Sequence, residues 1–179
     1  RAGPSPGSGS RLDHRTVLHD PFARAAFTSG VRSGGLTVGS RRYLIVSPCR
    51  DEAKFMRRTL DSVAAQSVTP ALWIVVDDGS TDDTPRILDE YAARLPWLKV
   101  VRRTDRGGRS VGPGVIEAFY KGLEGISLDD YDYVCKLDMD LDLPVRYFEL
   151  LMERMEQNPR LGTCSGKPWF PHPDTGELV

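Results

Sequence analysis

The sequence is short of the features that would place it in several large classes. Its three cysteines, Cys49, Cys135 and Cys164, lie far apart with no C-x-x-C. That spacing excludes a disulfide framework or a zinc knuckle and reads as small, reduced side chains in a cytosolic protein. No apolar run approaches the ~20 residues that span a bilayer, and the start lacks the basic-then-apolar order of a signal peptide. Neither sign of charge is in excess: 24 Lys and Arg stand against 25 Asp and Glu. The basic total of a nucleic-acid binder is therefore missing, and no nucleic-acid partner is expected. The three histidines, His14, His19 and His172, are scattered and suggest no metal site.

What is present suits one soluble globular domain: 179 residues, 40% hydrophobic and 27% charged, enough for a single sizeable core. The first ten residues, RAGPSPGSGS, give nothing to bury. Beyond them Val17, Leu18, Phe22, Phe27 and Val31 suggest at most a short helix, interrupted by Gly and Ser. Residues 1–40 are therefore read as a flexible N-terminal extension, and 41–179 as the domain.

From Arg42 onward, apolar β-branched runs alternate with segments of helical spacing. Tyr43–Ser47, Ala71–Val76, Leu98–Val101 and Tyr131–Leu137 read as buried strands, and Leu161–Cys164 as a fifth. Between them Met56, Leu60 and Val63 set a helix over Glu52–Gln66, and Ile87, Tyr91 and Leu95 a second, with Thr84 as N-cap and Pro85 at its first position. A Gly-rich loop, Arg106–Gly114, precedes a helix from Val115 to Leu123, and Pro144 opens one carrying Tyr147, Leu151 and Met155. Strands alternating with such helices mean βαβ units: an α/β, Rossmann-like domain with a mainly parallel sheet and helices on both faces.

In such a sheet ligands bind at the carboxyl ends of the strands. Here those ends carry Pro48, Arg50, Asp51 and Glu52, then Asp77 and Asp78, then Asp138 and Asp140. Carboxylates converging on one edge repel each other unless a cation or hydrogen-bond donors compensate, which points to a divalent metal. Asp77 reads as the cap of its own turn, and Asp129, Asp130 and Asp132 as a solvated turn. Two phosphate-binding motifs are excluded. No G-x-G-x-x-G follows the first strand, and Gly162–Lys167 is one residue short of a P-loop, with Pro168 in the metal-binding hydroxyl's place.

Ser47-Pro-Cys-Arg-Asp-Glu52, Ile74-Val-Val-Asp-Asp-Gly-Ser-Thr-Asp82 and Lys136-Leu-Asp-Met-Asp-Leu141, in that order, resemble a family 2 glycosyltransferase of the GT-A fold. The family's usual forms are P-x-Y-N-E or P-x-R-N-E, V-D-D-G-S-T-D and D-x-D. The resemblance covers residues 42–179 and implies a nucleotide-sugar-binding site. Pro48, Arg50, Asp51 and Glu52 would lie along base and ribose, and Asp78 would accept from the nucleobase. Asp138 would meet the ribose or, through water, the metal. Asp140 would ligate Mg²⁺ or Mn²⁺ against the diphosphate, since hard oxygen ligands suit both ions. Val115 stands where many members have a lysine, leaving Arg106 or Arg109 to supply that charge to the phosphates.

The implied activity is metal-dependent, inverting transfer of a hexose from a UDP- or GDP-sugar to a saccharide or lipid-linked acceptor of the cell envelope. It would take place in the cytoplasm, with peripheral association at the inner face of a membrane left open. The acceptor half, with the catalytic base, is expected beyond Val179, so no base is named. Two alternatives remain: a non-catalytic nucleotide-sugar-binding module, and a nucleotidyltransferase, which lacks its Gly-rich loop here.

Overall fold

A computed structural model describes residues 16–17, 26–29, 41–104, 113–170, 172 and 174–175. The centre of the domain is the strand β3 (Tyr43–Cys49), in which every residue but Pro48 is buried. A strand covered on both faces reads as a continuous apolar run rather than an alternation. Beside it lie β4 (Leu72–Asp77) and then β5 (Leu98–Arg102), both parallel to it. On its other side β6 (Tyr133–Lys136) is also parallel. The sheet is closed at that edge by β2 (Ala26–Ser29), antiparallel to β6, giving the order β2-β6-β3-β4-β5. A separate two-stranded pair joins β1 (Thr16–Val17) to β7 (Leu141–Asp142).

Helices cover both faces. The helix α3 (Pro113–Leu123) lies on one, where Ala118 packs with Leu44, Val46, Ile74 and Val76. On the other face Tyr43, Ile45, Trp73 and Val75 pack into a larger core with α1 (Met56–Ala64), α2 (Thr84–Ala92) and α4 (Tyr147–Gln157). Each such side chain contributes roughly 1.5–3 kcal/mol through burial. One glycine sets the distance of α3 from the sheet. A Cβ on Gly122 would stand 2.8 Å from Val46 Cγ1 and 2.9 Å from Val76 Cγ2. Any larger residue there would push the helix off the strands.

The strand order places the site. From β3 the chain moves outward through α1 and α2 to β4 and β5, then returns through α3 to lay β6 on the far side of β3. The order reverses between β3 and β6, and a crevice opens at the carboxyl ends of strands that diverge in this way.

Several expectations are corrected. Leu161–Cys164 forms no strand: Gly162 and Thr163 are exposed, and no Cβ contact within 4 Å awaits Gly162. The described segments of residues 1–40 are strands, not a short helix, because they find partners in β6 and β7 that are remote in sequence. Thr84 is not an N-cap. It begins α2, and its hydroxyl instead accepts a hydrogen bond from Glu52 N at 2.9 Å, while Asp82 Oδ1 takes the Thr84 amide at 2.9 Å. The first helix starts at Met56 rather than Glu52; the amides of residues 52 and 53 bond to Thr84 at the start of α2 and to Asp82 in the loop before it. Asp132 is not merely solvated, since its carboxylate accepts from Arg42 N at 2.9 Å. The helix α4 starts three residues after Pro144. No side chain of its own caps it, and Gln66, from the end of α1, accepts from Phe148 N at 3.2 Å while donating to Pro144 O at 2.8 Å.

Candidate functional site

A cavity of about 350 Å³ opens at the switch point. Its polar lining comes from three strand ends: Arg50 and Glu52 after β3, Asp78 after β4, and Asp138 and Asp140 after β6. Pro48 lies in its wall, and α3 contributes Val115, the residue in the lysine position of the resemblance. Six of the eight residues expected to bind the nucleotide sugar or metal are thus brought together. Asp51 is not among the lining residues. Arg109 and Arg106 lie outside the described residues.

The β3 and β4 ends are tied to each other. Asp78 N donates to Cys49 O at 2.9 Å, and Arg50 Nη1 donates to Asp78 O at 2.9 Å. Asp51 adopts a left-handed backbone, φ 53°. Its amide donates to Ser80 Oγ at 2.9 Å, and its Oδ1 accepts from Thr81 N at 2.7 Å and Thr81 Oγ1 at 3.3 Å. Asp82 Oδ2 accepts from Ala53 N at 3.1 Å. Burial alone would raise the Asp82 carboxyl, but the hydrogen bonds from Thr84 and Ala53 outweigh it and hold its pKa below the ordinary value. Asp77 caps its own turn as expected, accepting from Ser80 N at 2.9 Å. In the cavity lining, burial and the nearby Asp77 and Glu52 carboxylates push the Cys49 thiol well above its ordinary pKa, so it stays protonated.

The β6 end is built by alternation. Leu137, Met139 and Leu141 are all less than 7% exposed, whereas Asp138 is half-buried and Asp140 is exposed. A period of two turns the apolar set to the core and the carboxylates away from it. Thr59 of α1 anchors the far side of this segment. Its hydroxyl donates to Leu141 O at 2.7 Å and accepts from Leu141 N at 2.9 Å.

The acidic cluster is smaller than the sequence suggests: Glu52, Asp78, Asp138 and Asp140 share the cavity, and Asp51 and Asp77 are not in its lining. Among the described residues no group of three or more His, Cys, Asp or Glu side chains could hold a metal ion. The acids are compensated by the chain itself. Asp78 Oδ1 pairs with Arg103 Nη1 at 3.1 Å, the two side chains being 11% and 17% exposed. Asp138 pairs with Lys136, and Asp51, Asp77 and Asp82 are spent on backbone amides. The Asp138–Asp140 edge carries oxygen donors that suit Mg²⁺ or Mn²⁺. Such ions are commonly held by one or two carboxylates together with substrate phosphates.

Two contributors escape a reading by motif. Arg103 follows β5, where its amide donates to Asp77 O at 2.9 Å and its guanidinium also reaches Glu117 of α3 at 3.5 Å. Only its basic pairing with Arg102 is visible in the sequence, and nothing there links it to Asp78. Lys136 is the last residue of β6 and lies two residues before Asp138, so the pair is local in sequence. Trp169 does not line the cavity, and Lys167 Nζ sits 4.3 Å above its ring.

A doubly wound sheet with its polar cavity at this switch point is the architecture of GT-A glycosyltransferases. The first 349 residues of S. aureus TarS, solved with UDP-GlcNAc, superpose with a TM-score of 0.52 at 23% identity, covering 66% of this chain and 32% of that one. The sequence matches the model of glycosyl transferase family 2 over residues 44–175, and the chain belongs to that family. An uncharacterized protein of Mycobacterium tuberculosis is 36% identical over 123 residues, 67% of this chain and 33% of that protein. Poly-beta-1,6-N-acetyl-D-glucosamine synthase of Staphylococcus epidermidis is 28% identical over 152 residues, 85% of this chain and 33% of the synthase. The chain thus spans about a third of the length of these relatives.

Proposed function

We propose that residues 41–179 form the donor-binding domain of a metal-dependent, inverting glycosyltransferase, with residues 1–40 as its N-terminal extension. The donor is a nucleotide-diphosphate sugar, a UDP- or GDP-hexose, and the acceptor is a saccharide or lipid-linked acceptor of the cell envelope. One observation carries the reading: Pro48, Arg50, Glu52, Asp78, Asp138 and Asp140, drawn from three strand ends, line a single cavity at the switch point. Its volume, about 350 Å³, lies within the range of small-ligand sites.

In this reading Asp78 accepts from the nucleobase, held in place by Arg103, and Arg50 and Glu52 lie along base and ribose. Asp140, with Asp138 beside it, holds Mg²⁺ or Mn²⁺. When bound, the ion supplies positive charge to the diphosphate as it leaves. The acceptor oxygen forms its bond to the anomeric carbon as the bond from that carbon to the diphosphate breaks. The electron pair leaves with the nucleoside diphosphate, and the acceptor's proton passes to a general base. No base is assigned among the cavity residues. We place the reaction in the cytoplasm, a placement that leaves peripheral association at the inner face of a membrane open.

The test is calorimetric titration of the chain with UDP, GDP, CDP and ADP, with and without Mn²⁺. One uridine or guanosine diphosphate binding at least tenfold more tightly than the weakest of the four, and more tightly with Mn²⁺, is expected. Absence of binding by all four would overturn the reading.

A further inference from the structure

Asp51 is the residue of the site whose placement departs furthest from expectation. Both sequence neighbours, Arg50 and Glu52, line the cavity, and Asp51 does not. It has a left-handed backbone, φ 53°, which costs a non-glycine residue energy and is retained where surrounding contacts over-determine it. Those contacts run across the gap between two loops. Asp51 N donates to Ser80 Oγ at 2.9 Å, and Asp51 Oδ1 accepts from Thr81 N at 2.7 Å and from Thr81 Oγ1 at 3.3 Å. The second carboxylate oxygen, Oδ2, faces back toward Arg50, 3.6 Å from Nε. That guanidinium is only 10% exposed and also donates through Nη1 to Asp78 O at 2.9 Å. One carboxylate therefore touches both the loop that follows Asp78 and the arginine that reaches Asp78.

We infer that Asp51 is a positioning residue: without touching the donor, it fixes the spacing of Arg50 and Asp78 and so sets which nucleobase the site accepts. The inference rests on the nucleotide-sugar reading of the cavity. Two groups held a fixed distance apart discriminate between bases, and letting one drift relative to the other weakens the preferred base more than the rest. Oδ1 does the holding between the loops and Oδ2 turns Arg50.

Three variants separate this role from backbone conformation. Asp51→Gly adopts the left-handed backbone freely but loses both oxygens. Asp51→Asn tolerates that backbone and keeps the Oδ1 acceptor while losing the charge beside Arg50. Asp51→Ala loses both oxygens and also disfavours the left-handed backbone. The readout is the ratio of dissociation constants between the weakest and the tightest binder among UDP, GDP, CDP and ADP, measured with Mn²⁺ well below each variant's melting temperature. A variant that merely populates the folded state less weakens all four equally and leaves the ratio unchanged. Expected is a ratio reduced about tenfold in Asp51→Gly and Asp51→Ala, with Asp51→Asn restoring most of it and falling about threefold short of wild type. Wild-type selectivity in Asp51→Gly would overturn the inference and assign Asp51 a conformational role. Failure of the wild type to bind any nucleotide would overturn the donor-site reading instead.

Discussion

The two walls of the cavity are built on opposite plans. On the β3–β4 wall nearly every polar group has a task inside the protein. Asp51 and Asp82 hold neighbouring loops together, Asp77 caps its turn, and Asp78 pairs with Arg103. On the β6 wall the rigid part is apolar, Leu137 and Met139 in the core and Leu141 pinned to Thr59. Asp138 pairs with Lys136, and Asp140 is presented at the surface. The first wall uses its charges to fix shape, and the second uses hydrophobic anchorage to present charge. A wall of the first kind suits recognition of a rigid, directional group such as a nucleobase. The second suits a cation, whose coordination shell tolerates adjustment.

Substitutions on the two walls should therefore separate stability from binding. The largest difference is expected between Asp78→Ala and Asp140→Ala. Removing Asp78 takes from the Arg103 guanidinium, 17% exposed, its 3.1 Å carboxylate partner and leaves it, among the described residues, only the more distant and more exposed Glu117 at 3.5 Å. Urea unfolding should show a loss of roughly 3 kcal/mol, at the low end for breaking a buried pair. Asp140→Ala should stay within about 0.5 kcal/mol of wild type, as exposed substitutions usually do. Equal losses would erase the distinction between the walls.

A smaller effect tests the frame that both walls share. Gly122→Ala places a Cβ against Val46 and Val76. Overpacking typically costs 1–3 kcal/mol, and relief of the glycine's helical penalty returns up to about 1. A net loss of about 1–2 kcal/mol in urea unfolding is expected. A gain in stability would show that α3 can shift off the sheet without cost.

The smallest effect is in acid. The folded-state pKa of Asp82 lies below its ordinary value. Its contribution is therefore fully present above that ordinary value and is lost as pH falls through the lower, folded one. Asp82→Asn should make the acid limb of a pH–stability curve shallower below about pH 4 while leaving the neutral region parallel to wild type. An unchanged acid limb would show that the Asp82 carboxylate does not hold the two loops together.

Much of this was legible because the physics is local. Tyr43–Val46 and Trp73–Val76, buried on both faces, stand out as apolar runs, and three motifs at three strand ends converge on one cavity once the strand order is known. What was not legible is pairwise and remote. Arg103 meets Asp78 from a strand 25 residues further on, Asp51 meets Thr81, and β2 finds β6 more than a hundred residues away. Reading the acids as a cluster assumed that every strand-end carboxylate points into the crevice. The chain instead uses left-handed geometry at Asp51, and basic residues at 103 and 136, to compensate most of them. The start of α1 is equally remote in origin, since residues 52 and 53 are held by Thr84 and Asp82, 32 and 29 residues away.

The central claim is that Asp140 is where a divalent cation meets the nucleotide diphosphate. It is tested most directly by measuring how much Mn²⁺ strengthens binding of the preferred nucleoside diphosphate, in wild type and in Asp140→Ala. The account predicts a gain of about a hundredfold in wild type, ~2.7 kcal/mol, that collapses to less than threefold in the variant while metal-free affinity is unchanged. Equal Mn²⁺ enhancement in the two proteins would contradict it.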